Sequence, residues 1–182
     1  MTRKNFAAVV LCFFAVGITS WLGDAQQSQD KSKRPSPPGT ADCTINGKKV
    51  TIEYGRPSMK GRKIMGDLVP YGQVWRTGAN EATTLTTEID LNIGGAKVPA
   101  GKYTLYTLPS ANVWKLIINK QTGQWGTVYN QDQDLARVDM KVTPIVVPVE
   151  QFTISLDQND NRSADLVMEW EKTRVSVLVK AL

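Results

Sequence analysis

Between Trp75 and Glu81 the sequence WRTGANE places an indole, a guanidinium, a turn glycine, an amide and a carboxylate within seven positions. Arg76 can fork onto a carboxylate, Trp75 offers a face for stacking, and Asn80 can both donate and accept hydrogen bonds. Upstream, Tyr54, Arg56, Lys60 and Arg62 add an aromatic and three cations against few acids, Asp67 and Glu81 among them. The block from Tyr54 to Glu81 is therefore locally cationic. Together with Trp125 it reads as a lip for a carbohydrate, a peptide or an anionic component of a cell envelope. The candidate ligand-binding residues are Tyr54, Arg56, Trp75, Arg76, Asn80, Glu81 and Trp125.

The same residues admit two other readings. In one, Arg76 pairs with Glu81, Asn80 ties the turn and Trp75 is core; the block is then an internal clamp of a structural or assembly protein, whose edge strands or Cys43 make the outside contacts. In the other, the protein is a hydrolase working through carboxylates such as Glu81, with Arg76 steadying developing negative charge and Glu53, Asp67, Glu88 and Asp90 as further acids.

Much chemistry is excluded by what the chain lacks. It has no histidine, which removes Ser-His-Asp and Cys-His machinery and histidine zinc sites. No glycine-rich phosphate loop or nucleophile elbow is present, and the basic residues form no stripe of the kind nucleic acid needs. Asp157-Gln158-Asn159-Asp160-Asn161 starts like a calcium loop, but Arg162 stands where the turn needs glycine and Met168 where the bidentate glutamate belongs, so a solvated hairpin loop is expected. No metal or cofactor is expected.

The elements that must carry the block are strands. Asn46-Gly47 joins two alternating runs as a tight hairpin turn would. Thr83 to Ile93 carries Leu85, Ile89, Leu91 and Ile93; Lys97 to Leu108 has a Pro-Ala-Gly corner followed by Tyr103 and Leu105; Trp114, Leu116 and Ile118 line one side of the next strand. Val138, Met140 and Val142 alternate, and Pro144 and Pro148 demote the piece between them to an edge or connector. The last hairpins carry Phe152, Ile154 and Leu156, then Leu166, Met168 and Trp170, with Glu171-Lys172 turning the chain into Val175, Val177 and Val179. Only Lys63 to Val69 and Asp132 to Arg137 invite a very short helix. Eight to ten short strands predict an all-β domain, an antiparallel β-sandwich or jelly-roll-like barrel. A connector of about thirty residues from Tyr54 to Glu81 is longer than turns require, which points to function.

Met1 to Ala25 has the layout of an export signal: Arg3 and Lys4 precede an apolar run from Phe6 to Ile18 that is too short to span a bilayer. Cleavage is expected before Gln26, giving a periplasmic or extracellular product with no stable membrane span. Loss of Arg3, Lys4 and Asp24 lowers the net charge from +5 to +4, and Cys43 becomes the only cysteine. Residues 26–41 are polar and proline-rich, as a flexible linker would be, and residues 42–182 form one domain.

The runs YGRPSMKGR, LVPYGQVWRTGANEAT and VPAGKYTLYTLP, with Trp125-Gly126 and Tyr129, resemble an uncharacterised family of exported bacterial domains of unknown function. The resemblance covers Asp42 to Val142. It implies an export signal and brings no established activity or ligand.

Overall fold

The computed structural model describes residues 30–182; the leader expected over Met1–Ala25 and the start of the linker, residues 26–29, lie outside the described residues. Among the described residues nine strands form one continuous antiparallel sheet: β1 (Pro38–Ile45), β2 (Lys48–Gly55), β3 (Thr84–Thr87), β4 (Leu91–Ile93), β5 (Ala96–Val98), β6 (Gly101–Leu108), β7 (Val113–Asn119), β8 (Asp134–Asp160) and β9 (Ser163–Ala181). Their spatial order is β1-β2-β3-β6-β7-β8-β9-β4-β5. β1 also lies against β8 and β9, so the expected two layers are made by one sheet folded over its own core. The first strand reaches back to Pro38, ahead of the expected start at Asp42, because Pro38 to Ala41 find partners in Gly55 to Ile52 of β2.

The alternation in the sequence translates directly into burial. Ile45, Ile52, Leu85, Leu105, Leu116 and Phe152 all face the single apolar core. Asn46 and Gly47 take φ of 51° and 73°, as the two-residue hairpin requires. Where the β8–β9 hairpin turns, Asp160 accepts from the Arg162 N–H and the Ser163 hydroxyl, a hairpin loop closed by its own polar side chains.

Three expectations shift. The run from Thr83 to Ile93 is two strands: β3 pairs with β2 and β6, whereas β4 crosses to β9 and β5. Thr87 makes that break, its hydroxyl bonding the N–H and carbonyl of Ile89 in place of a ladder. Glu171-Lys172 is no reversal. Glu171 sits at φ 54° inside a continuous β9, and this one kinked residue switches the phase so that Trp170 before it and Val175 after it both reach the core. Finally, Lys63 to Val69 is a turn that brings Met65 back beside Val69, and Asp134 to Arg137 is claimed by the ladder with β7, leaving a 3-10 turn only at Gln131–Gln133. The piece between Pro144 and Pro148 lies within β8, but pairing with β9 is interrupted from Pro144 to Val149; Val146 is 92% exposed and Val147 76%.

Candidate functional site

Beyond β3, the position next to β6 is filled by the WRTGANE block itself. Leu105 donates to Thr83 O, Thr107 donates to Trp75 O, and Trp75 donates back to Thr107 O at 2.7 Å. Alternation then sends neighbouring side chains opposite ways. Trp75 points inward, with ring centroids 5.0 Å from Phe152, 5.8 Å from Trp170 and 6.5 Å from Trp114. Arg76 points to the other face.

After Arg76 the chain is tied down. Thr77 is fully buried, its hydroxyl donating to Trp75 O and meeting that of Thr107 at 3.1 Å, while the Thr83 hydroxyl donates to Thr77 O. The following turn lies directly on β2: a Cβ added to Gly55 would stand 2.1 Å from the Ala79 carbonyl oxygen, so no other residue fits there. Asn80, at φ 65°, donates its side-chain amide to Ser36 O, and Gly126 donates to Asn80 O. Glu81 bridges to Trp125 through the backbone.

The seven candidates therefore do not converge on one site. Tyr54, Asn80 and Glu81 line a cleft of about 270 Å³ together with Lys31, Arg34 and Glu53. Trp75 and Arg76 line a second, of about 200 Å³, with Tyr106, Gly126 and Tyr129. Trp125, 48% exposed, precedes the glycine of that second wall. Arg56 belongs to neither cleft; it donates to Phe152 O and the Thr153 hydroxyl and works as a brace. Tyr54 is buried and its hydroxyl is already used, donating to Ile154 O and accepting from Ile154 N–H.

The Arg76–Glu81 pair does not form. Glu81 accepts instead from Arg34, at 2.9 and 2.8 Å, and from Lys31 at 3.0 Å. Burial would raise its pKa, but its own N–H, Arg34 and Lys31 outweigh that and hold it at about 2. A carboxylate so held stays ionised near neutrality and has no proton to give, the opposite of what a general acid needs. Of the other acids, only Glu53 shares its cleft; Glu88 accepts from the Lys49 N–H and Asp90 from that of Ala100. Cys43 is buried and free, and burial raises its pKa, which makes it a poor thiolate and removes it from the surface contacts expected of it. Among the described residues, no three histidine, cysteine or acidic side chains gather to hold a metal ion, and no helix is long and apolar enough to cross a membrane.

Arg76 is different. Its Nε donates to Gly78 O at 3.1 Å, and among the described residues it forms no ion pair. Arg76, itself partly buried, lines the cleft beside Tyr106 and Tyr129, whose rings meet edge to face at 4.9 Å. Gly126 makes the room: a Cβ there would lie 3.1 Å from Arg76 Cδ. Tyr129 is fixed from behind, donating to Asp134 and accepting from Arg137, both at 2.7 Å. Burial first, then the hydrogen bond to Asp134 and its charge, push the Tyr129 pKa up to about 12, so the wall carries no negative charge of its own.

Sequence reasoning missed Tyr106, Lys31 and Arg34 as site residues. Tyr106 sits in an alternating strand where only the fold says which face is covered, and Lys31 and Arg34 lie in the polar stretch read as tether. A family model described as a protein of unknown function (DUF2911) matches residues 36–179. Comparison with curated proteins and with solved structures finds no match.

Proposed function

The chain belongs to the DUF2911 family of proteins of unknown function, and from that premise we propose that it is an exported binding module whose Arg76 cleft receives a small anionic group carried by an envelope carbohydrate or peptide. The observation that carries this reading is the partly buried Arg76, which has no acidic partner among the described residues. A cation withdrawn from water is costly unless paired, and a ligand carboxylate would accept a charge-assisted fork from its terminal nitrogens. Partly exposed Tyr129 supplies an aromatic surface in the cleft, suited to a sugar ring or a planar side chain, and exposed Trp125 is the chain neighbour of the Gly126 in its wall. At about 200 Å³ the cleft is smaller than a drug-sized ligand requires, which fits one charged residue or ring of a longer molecule.

The test is titration of the purified protein with oligogalacturonate, a glutamate-rich peptide and a neutral oligosaccharide, followed by calorimetry. One of the two anionic probes binds, the neutral one does not, and Arg76→Ala weakens the complex by roughly tenfold or more, since a hydrogen bond to a charged group is worth ~1.5–3 kcal/mol. Arg76→Lys recovers only part, because an ammonium keeps the charge and loses the fork. If a folded Arg76→Ala protein binds as the parent does, the reading is lost.

The clamp reading is favoured by a separate observation, the burial of Thr77, Gly78 and Ala79 against Gly55. It describes the turn that follows Arg76, and the two roles coexist: a rigid turn holding an outward arm. Export itself is checked by N-terminal sequencing of the secreted product, which should begin at Gln26.

A further inference from the structure

We propose that the other cleft, between the N-terminal segment and β2, is a binding site for a guanidinium or ammonium group of a basic peptide, and that Lys31 and Arg34 occupy it here as an intramolecular stand-in. The proposal is independent of the Arg76 cleft. It begins from the origin of the charges. Of the residues lining the cleft, the only cations are Lys31 and Arg34, both from the segment ahead of β1. The charged residues that the folded domain contributes are Glu53 and Glu81, with Tyr54, Asn80 and Thr84 among their neighbours. Lift the segment away and a concave wall with two carboxylates and no cation remains.

The segment is held lightly. Its 3-10 turn at Lys31–Lys33 buries no residue. Besides the contacts with Glu81, Asn80 donates to Ser36 O and the Arg56 N–H donates to Pro37 O. The Lys31 side chain is 56% exposed, that of Glu81 47% and that of Arg34 25%, and ion pairs this open to solvent contribute modestly to stability and are screened by salt. The fit is also incomplete. Arg34 spans both Glu81 oxygens with a single nitrogen, Nη1, where a guanidinium free to approach head-on would make two parallel bonds. Room for it exists, because the cleft keeps about 270 Å³ with the segment in place. Moreover, the span matched by the family begins at residue 36, after both cations, whereas Asn80 and Glu81 lie well inside it. The acceptor thus belongs to the domain, and the cations that fill it come from outside.

The consequence is competition: a basic peptide gains access when the segment leaves. The experiment uses the whole exported chain and tri-arginine as the probe, with binding read by calorimetry and by amide shifts at Glu81 and Ala82. The parent protein binds weakly. The double substitution Lys31→Ala, Arg34→Ala binds at least tenfold more tightly, and adding Glu81→Gln removes the gain. A double variant that binds tri-arginine no better than the parent overturns the proposal, as does a gain that survives Glu81→Gln. A thermal melt accompanies both: if the double variant loses its cooperative transition, the segment is part of the fold and the stand-in reading is likewise overturned.

Discussion

At the scale of single residues, the environment of each charged group decides its role, and the sequence supplies only its type. Glu81 and Arg76 stand five positions apart, yet one is saturated by partners about fifty residues upstream and the other faces a cleft. The difference is measurable. Glu81 has its pKa lowered from 4.5 to about 2 in the fold, so it contributes stability above about pH 4.5 that is lost as the pH falls through about 2. The contribution is modest, since the side chain is 47% exposed and well screened. A carbon-detected NMR titration of the Glu81 carboxylate gives a midpoint near 2 in the parent. Replacing Lys31 and Arg34 by alanine moves that midpoint part of the way back toward 4.5, because the two cations act beside the residue's own N–H in holding it down. A midpoint that stays put would mean the backbone N–H alone is responsible.

At the scale of elements, the WRTGANE block acts as a substitute strand and a lid over β2. Its position depends on Gly55 having no side chain, because the Ala79 carbonyl occupies the space a Cβ would take. Gly55→Ala must therefore push backbone against backbone, and its cost lies at or above the top of the ~1–3 kcal/mol range for overpacking. Denaturant unfolding with intrinsic tryptophan fluorescence measures it, and a loss below about 0.5 kcal/mol would show that the turn can lift without penalty. The kink at Glu171 works on the same scale. Its side chain accepts from the Met65 N–H at 2.9 Å, so the residue that switches the phase of β9 also anchors the long connector.

At the scale of the whole molecule, one core serves one folded sheet, and its aromatic centre joins the connector to the strands. Trp170 is buried among Trp75 and Phe152, and its indole N–H donates to Glu150 O. Trp170→Ala removes that packing and the hydrogen bond, costing ~3–5 kcal/mol of a total that is typically ~5–15 kcal/mol. Equilibrium unfolding checks this, and the Arg76 cleft should loosen with it because Trp75 loses the ring it stacks on. Most of this architecture was legible beforehand. Alternation of Leu85, Leu105, Leu116, Ile118, Phe152 and Ile154 declared strands and a core face, Asn46-Gly47 declared its turn, and the length and glycine content of the Tyr54–Glu81 block marked it as more than a linker, because these signals are local and a strand's period is fixed by backbone geometry. What stayed hidden was every relation across distance. The crossing of the chain between β3 and β4, the phase switch at Glu171, the division of five of the seven candidates between two clefts and the exchange of Arg76 for Lys31 and Arg34 as partners of Glu81 depend on which segments meet. Such meetings are decided by packing among residues tens of positions apart, and a side chain carries no record in its own neighbourhood of the partner that the fold will bring to it.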